Sequence, residues 1–129
     1  MTREVNELLV RGREELRAAR VLLDAGLPSQ AVSRAYLAAF HAACAALAAV
    51  GERPVTRSGV VSAFGRWVVR EGGLDHEVGR GLRRLFDDRE YVDYRLGVAS
   101  DGAAASAIDD AGRLLEATAE WIDVRMATA

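Results

Sequence analysis

The part of this chain that most constrains its fold is residues 31–50, which are apolar on almost every side. The polar exceptions are Ser33, Arg34 and His41, and ten of the other residues are alanine. A helix that is apolar all round is buried in a core or inserted in a membrane, and a membrane span needs about 20 predominantly apolar residues. Because the apolar run after Arg34 is shorter than that and contains His41, the pattern predicts the central helix of a core.

An amphipathic pattern precedes this stretch and predicts a first helix over residues 3–25. Thr2 is expected to cap its start, because a hydroxyl can accept from the free N–H groups of a first turn, and Gly26 is expected to end it. For the central helix, the same reasoning predicts that Ser29 is the cap and that Gly51 is the stop.

Three more helices are predicted in the second half of the chain. Residues 60–68 form a short amphipathic segment, and Asp75 is the expected cap of a fourth helix. Ser100 or Asp101 is the expected cap of the last helix, which is expected to finish near Met126. No segment alternates with the period of a strand, so the sequence predicts an all-α fold, an antiparallel up-and-down bundle of about five helices.

Length and composition point to a single domain over residues 1–129 that lies in the cytoplasm. The formal net charge of -2 disfavours bulk electrostatic binding to nucleic acid, although a local basic patch could still bind it. The one cysteine, Cys44, excludes an internal disulfide. The charged N-terminal segment carries no signal-peptide pattern, and no membrane association is expected.

The residues that usually carry small-molecule catalysis are sparse here. His41, His76 and Cys44 are not at metal-ligand spacing, so no metal is expected. No glycine-rich phosphate loop is present, and the serines and histidines suggest no nucleophile–base pair. We therefore expect no cofactor and no classical small-molecule enzyme.

One segment, residues 85–95, concentrates charged and phenolic side chains. Most of them are typical of a salt-bridged helix end. Arg89 differs because it takes an apolar position in the predicted fourth helix, where a permanent charge needs a partner. Asp93 lies four residues on, within reach on the same face, and a second copy of the chain is the other candidate partner. Arg89, Asp93 and Tyr94 are therefore the candidate site.

Several segments together resemble a known family. They are SRAYLAAFHAA at residues 33–43, SGV at 58–60, GGLD at 72–75, LFDDR at 85–89 and DY at 93–94. The combination resembles the small single-domain branch of the HEPN superfamily (higher eukaryotes and prokaryotes nucleotide-binding). That resemblance implies a helical bundle that commonly dimerises, and a frequent partnership with a minimal nucleotidyltransferase in toxin–antitoxin pairs.

The resemblance also implies an expectation about chemistry. Many HEPN proteins are metal-independent ribonucleases whose motif is an arginine followed, after four to six residues, by a histidine in a cleft between subunits. Arg89 matches the arginine, but Tyr94, Arg95 and Leu96 take the places open to the histidine. No histidine follows His76, so the second half of the motif is missing.

The leading hypothesis is an interaction protein: a homodimer that binds a minimal nucleotidyltransferase and takes RNA or nucleotide at a cleft of Arg89, Asp93 and Tyr94. A metal-independent endoribonuclease that moves protons with Tyr94 or His41 is the enzymatic alternative. A structural or ligand-binding bundle is the third.

A local basic surface belongs to the leading hypothesis. Arg80, Arg83 and Arg84 occupy neighbouring turns of the predicted fourth helix and could contact phosphates. A solvated helix face is the alternative explanation of the same pattern.

Overall fold

The computed structural model describes residues 2–128. The helices are α1 (Arg3–Asp24), α2 (Pro28–Ala49), α3 (Arg57–Ala63), α4 (His76–Tyr94) and α5 (Asp101–Thr128), and a π-helical segment, Phe64–Arg70, continues α3. No strand occurs among these residues. The predicted all-α class and the number of helices are therefore confirmed.

Three predicted helix caps are present. Thr2, Asp75 and Ser100 each accept a hydrogen bond from a backbone N–H group in the first turn of their helix, at 3.2, 2.8 and 3.0 Å. The predicted stops are also confirmed. Gly26 and Gly51 follow the ends of α1 and α2 with φ of 79° and 81°, a left-handed conformation that glycine adopts at little cost.

The prediction that Ser29 caps α2 is wrong. The helix begins at Pro28, whose fixed φ suits a first helical position, and the preceding Leu27 makes no side-chain capping bond. The Ser29 hydroxyl instead accepts a hydrogen bond from the backbone N–H of Ala99, at 3.0 Å. The serine thus ties the α4–α5 connection to the start of α2.

The third predicted helix is longer and less regular than the pattern suggested. It spans α3 and the π-helical segment, and the two parts together bury Val60, Val61, Phe64, Val68 and Val69. A π-helix bonds each N–H to the carbonyl five residues back, as the bond from Glu71 to Arg66 does at 2.9 Å. Apolar spacing alone does not distinguish this winding from an α-helix.

Helix α2 lies at the centre, and α1, α4 and α5 pack against it. Its fully buried face is largely alanine: Ala31, Ala35, Ala38, Ala39, Ala42, Ala43, Ala45 and Ala46. Of its larger groups, Tyr36 and Leu47 are fully buried, whereas Phe40 and Cys44 are only partly covered. By length and composition α2 could cross a membrane, but here its small side chains let three neighbouring helices approach closely.

Candidate functional site

Arg89 lies on the face of α4 that turns towards α2, and its side chain is only 13% exposed. Its Nε forms an ion pair with Asp93 Oδ2 at 3.1 Å, one helical turn further on. The structure thus places the predicted partner of Arg89 within the same helix. A charge that is this well covered needs such a partner, since an unpaired buried charge is costly.

The other oxygen of the same carboxylate is held by α2. The Ser33 hydroxyl donates to Asp93 Oδ1 at 2.6 Å. Asp93 therefore links α4 to α2 and is fixed from both sides. Ser33 was not among the predicted site residues, and the only signal for it was its place in the SRAY segment.

Two aromatic rings contact the Arg89 guanidinium. Its central carbon lies 5.1 Å from the Tyr36 ring centroid and 5.3 Å from that of Tyr94, within the range of cation–π attraction. Tyr36 is fully buried, whereas Tyr94 is 58% exposed. Among the described residues, no group accepts a hydrogen bond from either terminal nitrogen of Arg89.

The hydroxyl of Tyr36 is buried and has no hydrogen-bond partner within the described part of the chain. Burial raises the pKa of Tyr36 to about 12, although the positive charges of Arg57 and Arg89 act in the opposite direction. A phenol with that pKa does not exchange protons at neutral pH. Tyr36 thus contacts the guanidinium through its ring, and the charge of Arg57 also acts on the Tyr36 hydroxyl.

His41 belongs to different surroundings. Burial lowers its pKa, and the charges that act on it are Glu15, which raises the pKa, and Arg11, which lowers it. Both charges are on α1, and His41 lies about 140° around α2 from Tyr36, the residue of that helix whose ring contacts Arg89. Within one chain, the structure brings Arg89, Asp93 and Tyr94 together and leaves His41 apart.

Two of the three arginines earlier on α4 are engaged by carboxylates. Arg80 pairs with Glu77 at 2.9 Å, and Arg84 pairs with Glu77 at 2.9 Å and with Asp110 at 3.1 Å. Arg83 lies over the Phe86 ring at 6.0 Å. A phosphate would have to compete with these carboxylates for Arg80 and Arg84, so Arg83 is the freest of the three.

The described residues hold no group of three or more His, Cys, Asp or Glu side chains that could bind a metal ion. What the Arg89 site offers is a fixed guanidinium, an accessible phenol ring and a carboxylate already engaged by Arg89 and Ser33. Such a set can bind an anion without a metal.

This chain is similar in sequence to a known domain family and to several known proteins. The family model of the HEPN domain matches residues 5–121. A protein of Methanocaldococcus jannaschii named "Putative toxin MJ0605" is 33% identical over 84% of this chain and 81% of its own length. The UPF0332 protein glr0978 of Gloeobacter violaceus is 39% identical over 64% of this chain and 65% of its own length. A UPF0332 protein of Thermotoga maritima is 38% identical over 65% and 64%, respectively.

Proposed function

The chain belongs to the HEPN domain family, and from that premise we propose that it is one member of a toxin–antitoxin-type pair. In this proposal it is a homodimer that binds a minimal nucleotidyltransferase and holds RNA or nucleotide phosphate at Arg89. The relative named "Putative toxin MJ0605" supports the toxin–antitoxin assignment.

The geometry of Arg89 carries the phosphate-binding part of the proposal. The ion pair with Asp93 uses the Nε side of the guanidinium, so the two terminal nitrogens remain for a ligand. A planar guanidinium can donate two parallel hydrogen bonds to a phosphate. The exposed ring of Tyr94 lies beside it, and unpaired RNA bases stack on aromatic side chains.

Exposed apolar side chains near the Arg89 site support the proposal that two copies of the chain form a homodimer. Tyr91, Tyr94, Leu96 and Val98 are 54%, 58%, 89% and 81% exposed, respectively. Four large apolar groups exposed within eight residues are characteristic of a surface that another chain covers. A two-fold dimer formed through this surface would place two Arg89 sites close to one another.

RNA cleavage is the second candidate activity, and the surroundings of His41 weigh against it. Phosphodiester cleavage without a metal needs a group that exchanges a proton near neutral pH. No histidine follows Arg89 in the sequence, and the charges that act on His41 come from α1. We therefore expect cleavage to be weak or absent compared with a HEPN protein that carries the full motif.

The test is fluorescence anisotropy with a single-stranded RNA at low salt. Arg89→Gln should weaken binding about 10- to 100-fold, because a charge-assisted hydrogen bond contributes about 1.5–3 kcal/mol. Arg3→Gln, at a highly exposed position of α1, is the control with the same change of charge, and it should bind nearly as well as the wild type. Absence of RNA binding, or an equal loss in both variants, would exclude the RNA site at Arg89.

Cleavage is measured on the same proteins beside a nuclease-free blank. Robust cleavage by the wild type that disappears in Arg89→Ala would establish the endoribonuclease instead. Tyr94→Phe and His41→Ala would then show which residue moves the proton. For the partner, copurification with a nucleotidyltransferase encoded by a neighbouring reading frame is the expected result.

A further inference from the structure

A second concave surface lies between α1 and α5, and it shares no residue with the Arg89 site. This groove measures about 670 Å³, within the range of small-molecule sites. Buried Leu16, Ile108 and Leu115 line it together with Gly112. The chain thus has a concavity of ligand size that the Arg89 site does not use.

The exposed walls of the groove are charged. Arg13 and Arg20 come from α1, and Arg113 comes from α5, together with the carboxylates of Asp109 and Glu116. Within residues 2–128, none of these five side chains forms an ion pair or a hydrogen bond. This is unlike the arginines that carboxylates already engage elsewhere in the chain: Arg3, Arg34, Arg53, Arg80, Arg84 and Arg89.

The absence of a side chain at Gly112 helps to leave this space open. A Cβ atom added there would lie 3.8 Å from Leu16 and 4.0 Å from a terminal nitrogen of Arg20. The Arg20 guanidinium therefore reaches across from α1 to the backbone of α5. The side chain is exposed and has no partner among the described residues, so its donors are available at the groove.

We propose that this groove binds a phosphate monoester of a small, hydroxyl-bearing molecule. Guanidinium groups from both walls suit a phosphate, to which each can donate two hydrogen bonds. The carboxylates of Asp109 and Glu116 can accept hydrogen bonds from hydroxyl groups, which a phosphate alone does not offer. The mixed charge of the walls therefore favours a phosphorylated polyol over a bare anion.

Ribose 5-phosphate is a suitable probe, with inorganic phosphate and ribose as the two partial ligands. Titration of the full-length protein is followed by calorimetry and by the amide NMR signal of Gly112, which reports on the groove. The proposal expects saturable binding of ribose 5-phosphate that is tighter than that of either partial ligand. Arg20→Gln and Arg113→Gln should each weaken this binding about 10- to 100-fold, the effect of losing a charge-assisted hydrogen bond.

The control is Arg17→Gln, which makes the same change of charge on α1 at a residue outside the groove. It should bind like the wild type. Asp109→Asn combined with Glu116→Gln should remove the preference for ribose 5-phosphate over inorganic phosphate. Gly112→Leu should block binding without altering charge, and circular dichroism verifies that each variant is folded.

Two results would overturn the proposal. One is a wild-type protein that binds no ribose 5-phosphate, and the other is an Arg17→Gln variant that loses as much affinity as Arg20→Gln. Arg89→Gln distinguishes the two sites of the molecule. Ribose 5-phosphate binding that persists in Arg89→Gln and disappears in Arg20→Gln takes place in the groove, whatever the RNA measurements show.

Discussion

At the scale of single residues, Arg89 shows how a charged side chain can be fixed while its binding atoms stay available. Asp93 pairs with its Nε, and the rings of Tyr36 and Tyr94 contact its guanidinium. Ser33 in turn holds Asp93 from α2. The position of the Arg89 side chain therefore depends on two helices. Substitutions of Asp93 should affect both the stability of the fold and the binding of a ligand.

We expect Asp93→Asn to lower the free energy of unfolding by about 1–3 kcal/mol, because it leaves a largely covered guanidinium without its counter-charge. The exposed side-chain fractions of Arg89 and Asp93 are 13% and 29%. The control is Glu7→Gln, which breaks the exposed pair with Arg3 and should change stability by less than about 0.5 kcal/mol. Urea unfolding measures both, and equal effects would contradict the geometry described for Arg89.

The lowered pKa of His41 is expected to make the free energy of unfolding depend on pH. Burial lowers its pKa in the folded chain below the ordinary value of 6.5, so in the window just below pH 6.5 the unfolded chain binds more protons. The stability that neutral His41 contributes is thus present above pH 6.5 and is lost as the pH falls through that window.

Urea unfolding across pH 5–7 tests this dependence on three proteins. His41→Gln should flatten the dependence relative to the wild type, while His76→Gln, at an exposed position, is the matched control. An unchanged slope in His41→Gln would contradict the assigned environment.

At the scale of elements, the bundle depends on close approach of small residues. Gly12 of α1 faces α2 and α5: a Cβ atom added there would lie 3.1 Å from the Ala38 carbonyl oxygen and 2.9 Å from a methyl group of Leu115. The Leu115 side chain can move, but the α2 backbone cannot move without repacking its alanine face. Gly12 therefore sets the distance between α1 and α2.

Gly12→Ala should destabilise the protein by about 1–3 kcal/mol, the usual cost of overpacking a core. Gly65→Ala is the matched control, because a Cβ atom there would meet nothing within 4 Å. It should be neutral or slightly stabilising, since alanine favours helix over glycine. Thermal unfolding of both variants gives the comparison, and a stable Gly12→Ala variant would show that α1 can move away from α2.

The helices themselves could be predicted because their signals are local. The caps at Thr2, Asp75 and Ser100 follow from a few neighbouring residues each. The prediction for Ser29 was wrong because Pro28 starts the helix two positions before the start that a cap at Ser29 implies. The π-helical segment was missed since the apolar spacing of a short helix is compatible with more than one winding.

At the scale of the whole molecule, only part of the Arg89 site could be predicted from the sequence. The pair of Arg89 and Asp93 is separated by one turn of a single helix, so its spacing could be predicted. Ser33 and Tyr36 reach the pair only because α2 and α4 pack with a particular rotation about their axes. Apolar periodicity predicts that two helices touch, but it does not fix that rotation closely enough to place a hydroxyl.

Two copies of the chain are predicted to associate through the apolar surface near Arg89. We expect a dimer in sedimentation experiments and a monomer for Leu96→Asp, because Leu96 is 89% exposed within the apolar surface that includes Tyr94. Leu96 has a φ of 54°, a left-handed conformation that aspartate tolerates better than leucine, so the substitution should not harm the fold. Val55→Asp, at a 99% exposed valine, should remain dimeric. A wild-type protein that stays monomeric at micromolar concentrations would exclude this dimer.

The contacts that hold the Arg89 side chain in place also affect the entropy of ligand binding. Immobilising a long, flexible side chain at an interface costs about 0.5–1.5 kcal/mol. Here Asp93, Tyr36 and Tyr94 already restrict the guanidinium in the free chain, so most of that ordering takes place during folding and not when a ligand arrives. Loosening this support while keeping Arg89 itself should therefore weaken binding through a less favourable entropy, with the direct contacts to phosphate still made.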